Sequence, residues 1–190
     1  MAETVLHIKN MVCPRCVMAV KELLNQLDFP VISVELGKAI VGRTPDGWEM
    51  TQLRERLQVI GFELIDDKRL QVVEQIKDSI IELVHYRDND LKVNLSDYLA
   101  NKCHSDYSHL SKLFSEVCGV TIEKYFIAQK IERVKELLLY DELSLNEIAL
   151  LMNYSSTAHL SSQFKRVTGY TPSQFKQQRG PERRPLDKIL

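Results

Sequence analysis

Two sets of residues in this 190-residue chain have types and spacings that could do chemistry. Cys13-Pro14-Arg15-Cys16 brings two thiols close to a helix start, where the helix dipole and Arg15 would favour the thiolate form. Two thiolates without nearby histidines suit a soft ion of low coordination, such as Cu(I), better than a closed four-ligand zinc site. The second set lies in the carboxy-terminal half, in two runs of small hydrogen-bonding side chains with lysines: Tyr107, Ser108, Ser111 and Lys112, then Ser156, Thr157, His159, Ser161, Ser162 and Lys165. Such side chains near a helix amino terminus can approach base edges in the major groove of double-stranded DNA, while lysines meet phosphate.

The elements that must position the thiols read as a small α+β domain over residues 1–66. Thr4 to Lys9 alternates as a half-buried strand does. Pro14 stands where a helix can start, and Val17, Val20, Leu23, Leu24 and Leu27 follow at helical spacing. Val31 to Leu36 and Lys38 to Gly42 read as a hairpin around Gly37. Pro45-Asp46-Gly47 reads as a loop, Met50 to Ile60 as a second helix, and Phe62 to Ile65 as a closing strand. The order β-α-β-β-α-β predicts a ferredoxin-like domain.

Residues 67–93 read as an amphipathic linker helix and hinge. Leu70, Val73, Ile76, Ile80, Leu83 and Val84 form an apolar stripe, and the polar run Arg87-Asp88-Asn89-Asp90 ends it. A stripe between two domains is well placed to pair with a second copy, so a homodimer through helix 67–87 is an expectation.

The elements behind the second set come from a repeat. Sliding the chain by fifty residues matches His109-Leu110-Ser111 with His159-Leu160-Ser161, and Phe114, Val117, Gly119 and Thr121 with Phe164, Val167, Gly169 and Thr171, without a gap. Each unit has a short helix (Leu95–Cys103, Leu145–Met152), a tight turn, a serine placed as N-cap (Ser105, Ser155), and a second helix ended by glycine. Leu110, Phe114 and Val117 share a face with core character, as do Leu160, Phe164 and Val167. A long helix, Ile122 to Tyr140, joins the units. Two helix-turn-helix units in succession are therefore predicted over residues 94–179, with a basic flexible tail at 180–190.

Leu145-Asn146-Glu147-Ile148-Ala149, Asn153-Tyr154-Ser155-Ser156 and the run His159 to Phe175 closely resemble the carboxy-terminal signature of the AraC/XylS family of bacterial transcription regulators. Lys130 to Leu138 resembles that family's connecting helix. The resemblance implies an all-α domain of seven helices, sequence-specific binding of double-stranded DNA and control of promoters, with RNA polymerase as an expected partner. Met11-Val12-Cys13-Pro14-Arg15-Cys16 and Gly61-Phe62 resemble the heavy-metal-associated domain of copper chaperones and metal-transporting ATPases, with Asn10 where that family usually has glycine and Val12 where it usually has threonine.

Rival readings stand beside these. A CPxC also suits a thioredoxin-like redox centre, although that fold needs roughly a hundred residues and another strand order. The cysteines could also belong to a domain kept only for its fold. Cys103 and Cys118 read as small core residues, and His109 and His159 as helix-surface or core-edge residues rather than metal ligands. The chain as a whole could instead be a metal-trafficking or interaction protein whose helical half binds another protein.

Composition bounds these readings. At 44% hydrophobic and 27% charged the chain has the makeup of a soluble globular protein, with no apolar run near the ~20 residues that span a bilayer. Met1-Ala2-Glu3-Thr4 has neither the basic start nor the apolar stretch of a secretion signal, so the expected address is the cytoplasm. No nucleophile–base arrangement is evident, so an enzyme is not expected. The net charge of −1 hides a gradient: seven Lys/Arg against ten Asp/Glu in residues 1–67, five of each in 68–93, and thirteen against eleven in 94–190. The combined expectation is a transcription regulator responding to a soft metal or thiol state through Cys13 and Cys16.

Overall fold

The computed structural model describes residues 3–87, 89, 93–178 and 184–189. The chain divides into two compact units, Met1–Asp78 and Ser79–Leu190.

In the first unit, alternation in β1 (Thr4–Lys9) sends Leu6 and Ile8 into the core and leaves Val5 exposed. Helix α1 (Pro14–Gln26), strands β2 (Val31–Glu35) and β3 (Lys38–Val41), helix α2 (Gly47–Val59) and strand β4 (Glu63–Leu64) follow. The sheet order is β2-β3-β1-β4 with every pair antiparallel, Leu6 opposite Ala39 and Ile8 opposite Leu64. Val20, Leu23 and Leu24 of α1 and Leu53 and Leu57 of α2 share one core with Leu6, Ile8, Ala39, Val41, Met11 and Phe62. The β-α-β-β-α-β order is thus the observed one. Helix α2 begins three residues before the expected Met50, because Asp46 and Glu49 form a capping box and Arg43 grips both Glu49 oxygens at 2.6 Å.

Helix α3 (Lys68–Ile81) runs into a π-helical turn, Glu82–Tyr86. The boundary between units falls inside this helix, after Asp78, within the segment 67–93 read as the linker. Val73, Ile76, Ile80, Leu83 and Val84 are all buried within the chain; of the stripe only Leu70 is exposed, at 44%. The face expected to pair with a second copy is therefore already covered. Of the expected hinge, Asp88 and Asp90 lie outside the described residues. Asn89 is not a solvent-facing hinge residue: it is buried at φ 55°, its side-chain amide donates to the Met152 carbonyl at 3.1 Å, and its own carbonyl accepts from Asn153 Nδ2 at 2.5 Å. Among the described residues its Oδ1 has no hydrogen-bond partner.

The second unit holds α4 (Leu95–Cys103), α5 (Tyr107–Cys118), α6 (Ile122–Tyr140), α7 (Leu145–Leu151), α8 (Thr157–Thr168) and α9 (Pro172–Gln178). The fifty-residue offset is kept in space: α4 and α7, α5 and α8, and α6 and α9 all start fifty residues apart. Gly119 (φ 71°) and Gly169 (φ 83°) end α5 and α8 in the left-handed conformation that glycine enters without a Cβ clash. Seven helices were implied; the described residues give six from 95 to 178, and the distal part of α3 clusters with them. Leu110 and Phe114 are fully buried, as are Leu160 and Phe164, but Val117 (38% exposed) and Val167 (46%) are not core. They lie at the last turn, where the chain leaves the core for the glycine cap, and in the first unit Leu113 supplies the third buried contact.

The expected tail at 180–190 is seated where it is described. Gln129 Nε2 donates to the Leu186 carbonyl at 3.1 Å, the Arg184 amide donates to Glu132 at 3.2 Å, and Ile189 is buried. Residues 179–183 and 190 lie outside the described residues. Among the described residues no helix is long and apolar enough to cross a membrane.

Replacing Phe114 or Phe164 by alanine should lower stability by about 3–5 kcal/mol in urea unfolding. Val117→Ala and Val167→Ala should each stay within roughly 1 kcal/mol of wild type, because half-exposed methyls lose little burial.

Candidate nucleic-acid interface and thiol pair

Helix α8 is built to present its outer face. Ser144 and Glu147 cap α7 reciprocally, and Asn153 turns the chain at φ 52°. Tyr154 is then buried, its amide donating to the Ala149 carbonyl and its hydroxyl to Gln163 Oε1 at 2.6 Å. The Lys130 ammonium from α6 sits 3.9 Å from the centre of the Tyr154 ring, and burial pulls its pKa down to about 8. Helix and turn are thus held from behind by an aromatic and a cation.

The N-cap of α8 is Ser156, one residue later than the expected Ser155. Its Oγ accepts from the His159 amide at 3.1 Å. Ser155 instead hydrogen-bonds the His159 ring at Nδ1, 3.1 Å away, and Tyr154 meets that ring edge-on at 5.4 Å. Ser156, Ala158, His159, Ser162 and Lys165 are exposed, while Thr157 and Ser161 are half-buried beside them. With Leu160 and Phe164 buried behind, this side of α8 is polar, short and open. Arg166, next to Lys165 in the last turn, is exposed too and belongs with the set. It was legible as a second base adjoining Lys165 but carried no repeat signal, because residue 116 is glutamate.

The same face of α5 is arranged differently. Its N-cap is Asp106, not Ser105, and Asp106 makes no side-chain cap bond. Ser108 and Lys112 are exposed and Ser111 half-buried. Tyr107, expected to face DNA, donates its hydroxyl to the Glu123 carboxylate at the start of α6. Burial first and then that bond push the phenol's pKa up, and the same bond holds Glu123 below its usual range.

The thiols sit as the spacing predicts, Cys13 as the residue before α1 and Cys16 in its first turn, with Sγ atoms 3.1 Å apart and both reduced. Asn10 takes φ 72°, a left-handed position that asparagine tolerates, and its side-chain amide ties the loop to the Gly61 carbonyl at 3.1 Å. Met11 is fully buried and so serves the core. The expected thiolate character is not seen at Cys16: burial, and then the hydrogen bond with Cys13, push this thiol up, outweighing the backbone amides that pull it down. Among the described residues no group of three or more His, Cys, Asp or Glu side chains could hold an ion.

A short helix, a tight turn and a polar-faced second helix, twice over, define a helix-turn-helix domain. Residues 99–178 match the family model described as a helix-turn-helix domain. The chain is 33% identical over 113 residues to an uncharacterized HTH-type transcriptional regulator of Staphylococcus aureus, which covers 60% of this chain and 14% of that protein. It is 31% identical over 99 residues to the xylose operon regulatory protein of Escherichia coli (strain K12), covering 52% and 25%. The chain thus spans a quarter or less of the length of these relatives. In fold it is similar to the C-terminal domain of AraT, a response regulator from Geobacillus stearothermophilus, with a TM-score of 0.50, 23% identity, and 61% of this chain and 92% of that one covered.

Ser156→Ala should destabilise the protein by about 1 kcal/mol, read from urea unfolding, because it leaves the His159 amide without its acceptor. Asp106→Ala should change stability by only a few tenths, since no side-chain cap is lost.

Proposed function

We propose that this chain is a non-enzymatic, sequence-specific DNA-binding transcription regulator of AraC/XylS type. One observation carries the reading: α8 offers an open polar face of serines, threonine and histidine, rigidly capped at its amino end and followed by Lys165 and Arg166. Short hydroxyls let a helix lie close to base edges, where they accept or donate according to the base, and the two bases at the far end meet phosphate. The likeness of the domain to regulators named for transcription supports this reading.

The amino-terminal unit fits a ferredoxin-like domain of heavy-metal-associated type, a reading supported by its β2-β3-β1-β4 antiparallel order and by the loop from Asn10 to Cys16. Two part-exposed thiols with no third ligand beside them among the described residues suit a soft ion of low coordination, so Cys13 and Cys16 would hold Cu(I) or a similar ion. When bound, the ion would supply a change of charge and thiol protonation at the start of α1. The paired thiols, raised in pKa at Cys16, must give up protons to bind it, so affinity rises with pH.

Gel shifts with duplexes selected by the protein from a random-sequence pool test the first reading. Binding should prefer the selected sequence and weaken steeply as salt rises; no sequence preference at any salt would refute it. Anaerobic titration with Cu(I), Zn(II) and Hg(II) tests the second. Wild type should bind a soft ion in a 1:1 ratio with proton release, and the Cys13→Ser/Cys16→Ser protein should not; equal binding by both would end the metal reading.

A further inference from the structure

We infer that the two helix-turn-helix units are unequal, with α8 alone gripping DNA and α5 held off the phosphate backbone by its own charge. This rests on the DNA-binding reading above. The fifty-residue register allows a comparison position by position. Lys165-Arg166 at the end of α8 corresponds to Ser115-Glu116 at the end of α5. Ser156 corresponds to Asp106, and Ser173, at the start of α9, to Glu123 at the start of α6. Asp106, Glu116 and Glu123 are all exposed, and so are Ser156, Arg166 and Ser173.

From residue 155 to 174 the second unit therefore has two bases and no acid. From 105 to 124 the first has Lys112 and Lys124 against Asp106, Glu116 and Glu123. Duplex DNA carries a negative charge per ~1.7 Å of axis, and at physiological salt charges within ~8 Å act on one another. A carboxylate at each end of α5 thus opposes what a base and a neutral serine favour on α8.

Two structural differences point the same way. Tyr107, the longest polar side chain on α5's face, has its hydroxyl committed to Glu123, whereas its counterpart Thr157 is short. The amino end of α8 is pinned by Ser156 to the His159 amide, and that of α5 has no side-chain cap. On the inner side each helix packs one phenylalanine on an aromatic of the next helix, Phe114 on Tyr125 and Phe164 on Phe175.

The test uses the full chain and a 40-base-pair duplex carrying the sequence it selects from a random pool. Hydroxyl-radical protection should cover one major-groove segment and its flanking phosphates. Lys165→Ala/Arg166→Ala should weaken binding at least tenfold and lower the log–log salt slope by about two, while Lys112→Ser, which copies the second unit's residue, should stay within twofold. Giving the first unit the second unit's residues, Asp106→Ser with Ser115→Lys, Glu116→Arg and Glu123→Ser, should strengthen binding at least fivefold and lengthen the protected region. Circular dichroism of each variant checks that the surface changes leave the helices intact. Wild-type protection of two successive major grooves, or a loss on Lys112→Ser matching that of the Lys165/Arg166 pair, would overturn the inference while leaving DNA binding itself in place. Absence of any sequence preference in wild type would overturn the function reading and this one with it.

Discussion

Phe164 lies edge-on to Phe175 with ring centres 5.4 Å apart, and fifty residues earlier Phe114 meets Tyr125 at 5.6 Å. Each pair joins an outer helix to the helix that follows its glycine cap. Because the aromatic must be buried, the rotation of α5 and α8 about their own axes is set, and with it which residues look outward. The polar face of α8 is polar because Leu160 and Phe164 have taken the other side. Glycine at 119 and 169 allows the chain to reverse quickly enough for the partner ring to arrive.

Around that frame, α6 carries an uncommon load of buried polar groups. Glu132 and Lys135 pair at 2.6 Å with almost no exposure, and Gln129 bonds His85, Tyr125 and the Leu186 carbonyl. Such groups add little net stability over apolar ones, yet each demands one partner and so specifies one arrangement. They fix where the π-helical turn and the segment 184–189 must lie on this helix. Lys130 does the same for the turn before α8, its ammonium held by ring faces.

In the thiol loop, asparagine stands at a position where the backbone is left-handed. Asparagine at position 10 accepts the left-handed backbone and adds a tether to Gly61, so the loop delivers Cys13 and Cys16 to α1 in glycine's absence. Burial of Met11 anchors the loop from within. Protonation of Cys16 is set by the opposing pulls of burial and backbone amides, which only the folded loop brings together.

By itself the sequence determined the order of elements, the duplicated helix pair and the closeness of the two cysteines. Period-2 and period-3.6 patterning, glycine caps and an ungapped repeat are local signals, and local signals survive without a fold. Helices Leu95–Cys103 and Ile122–Tyr140 and strand Thr4–Lys9 have the bounds their residues predict. Tertiary structure alone decided that the α3 stripe is covered, that Val117 and Val167 are not core, and that Asn89 is buried. It also decided that Tyr107 turns to Glu123, and that the caps are Asp106 and Ser156. Each of these depends on what else occupies the space around a residue, and a side chain's partners across 16, 44 or 63 positions leave no trace in its own neighbourhood.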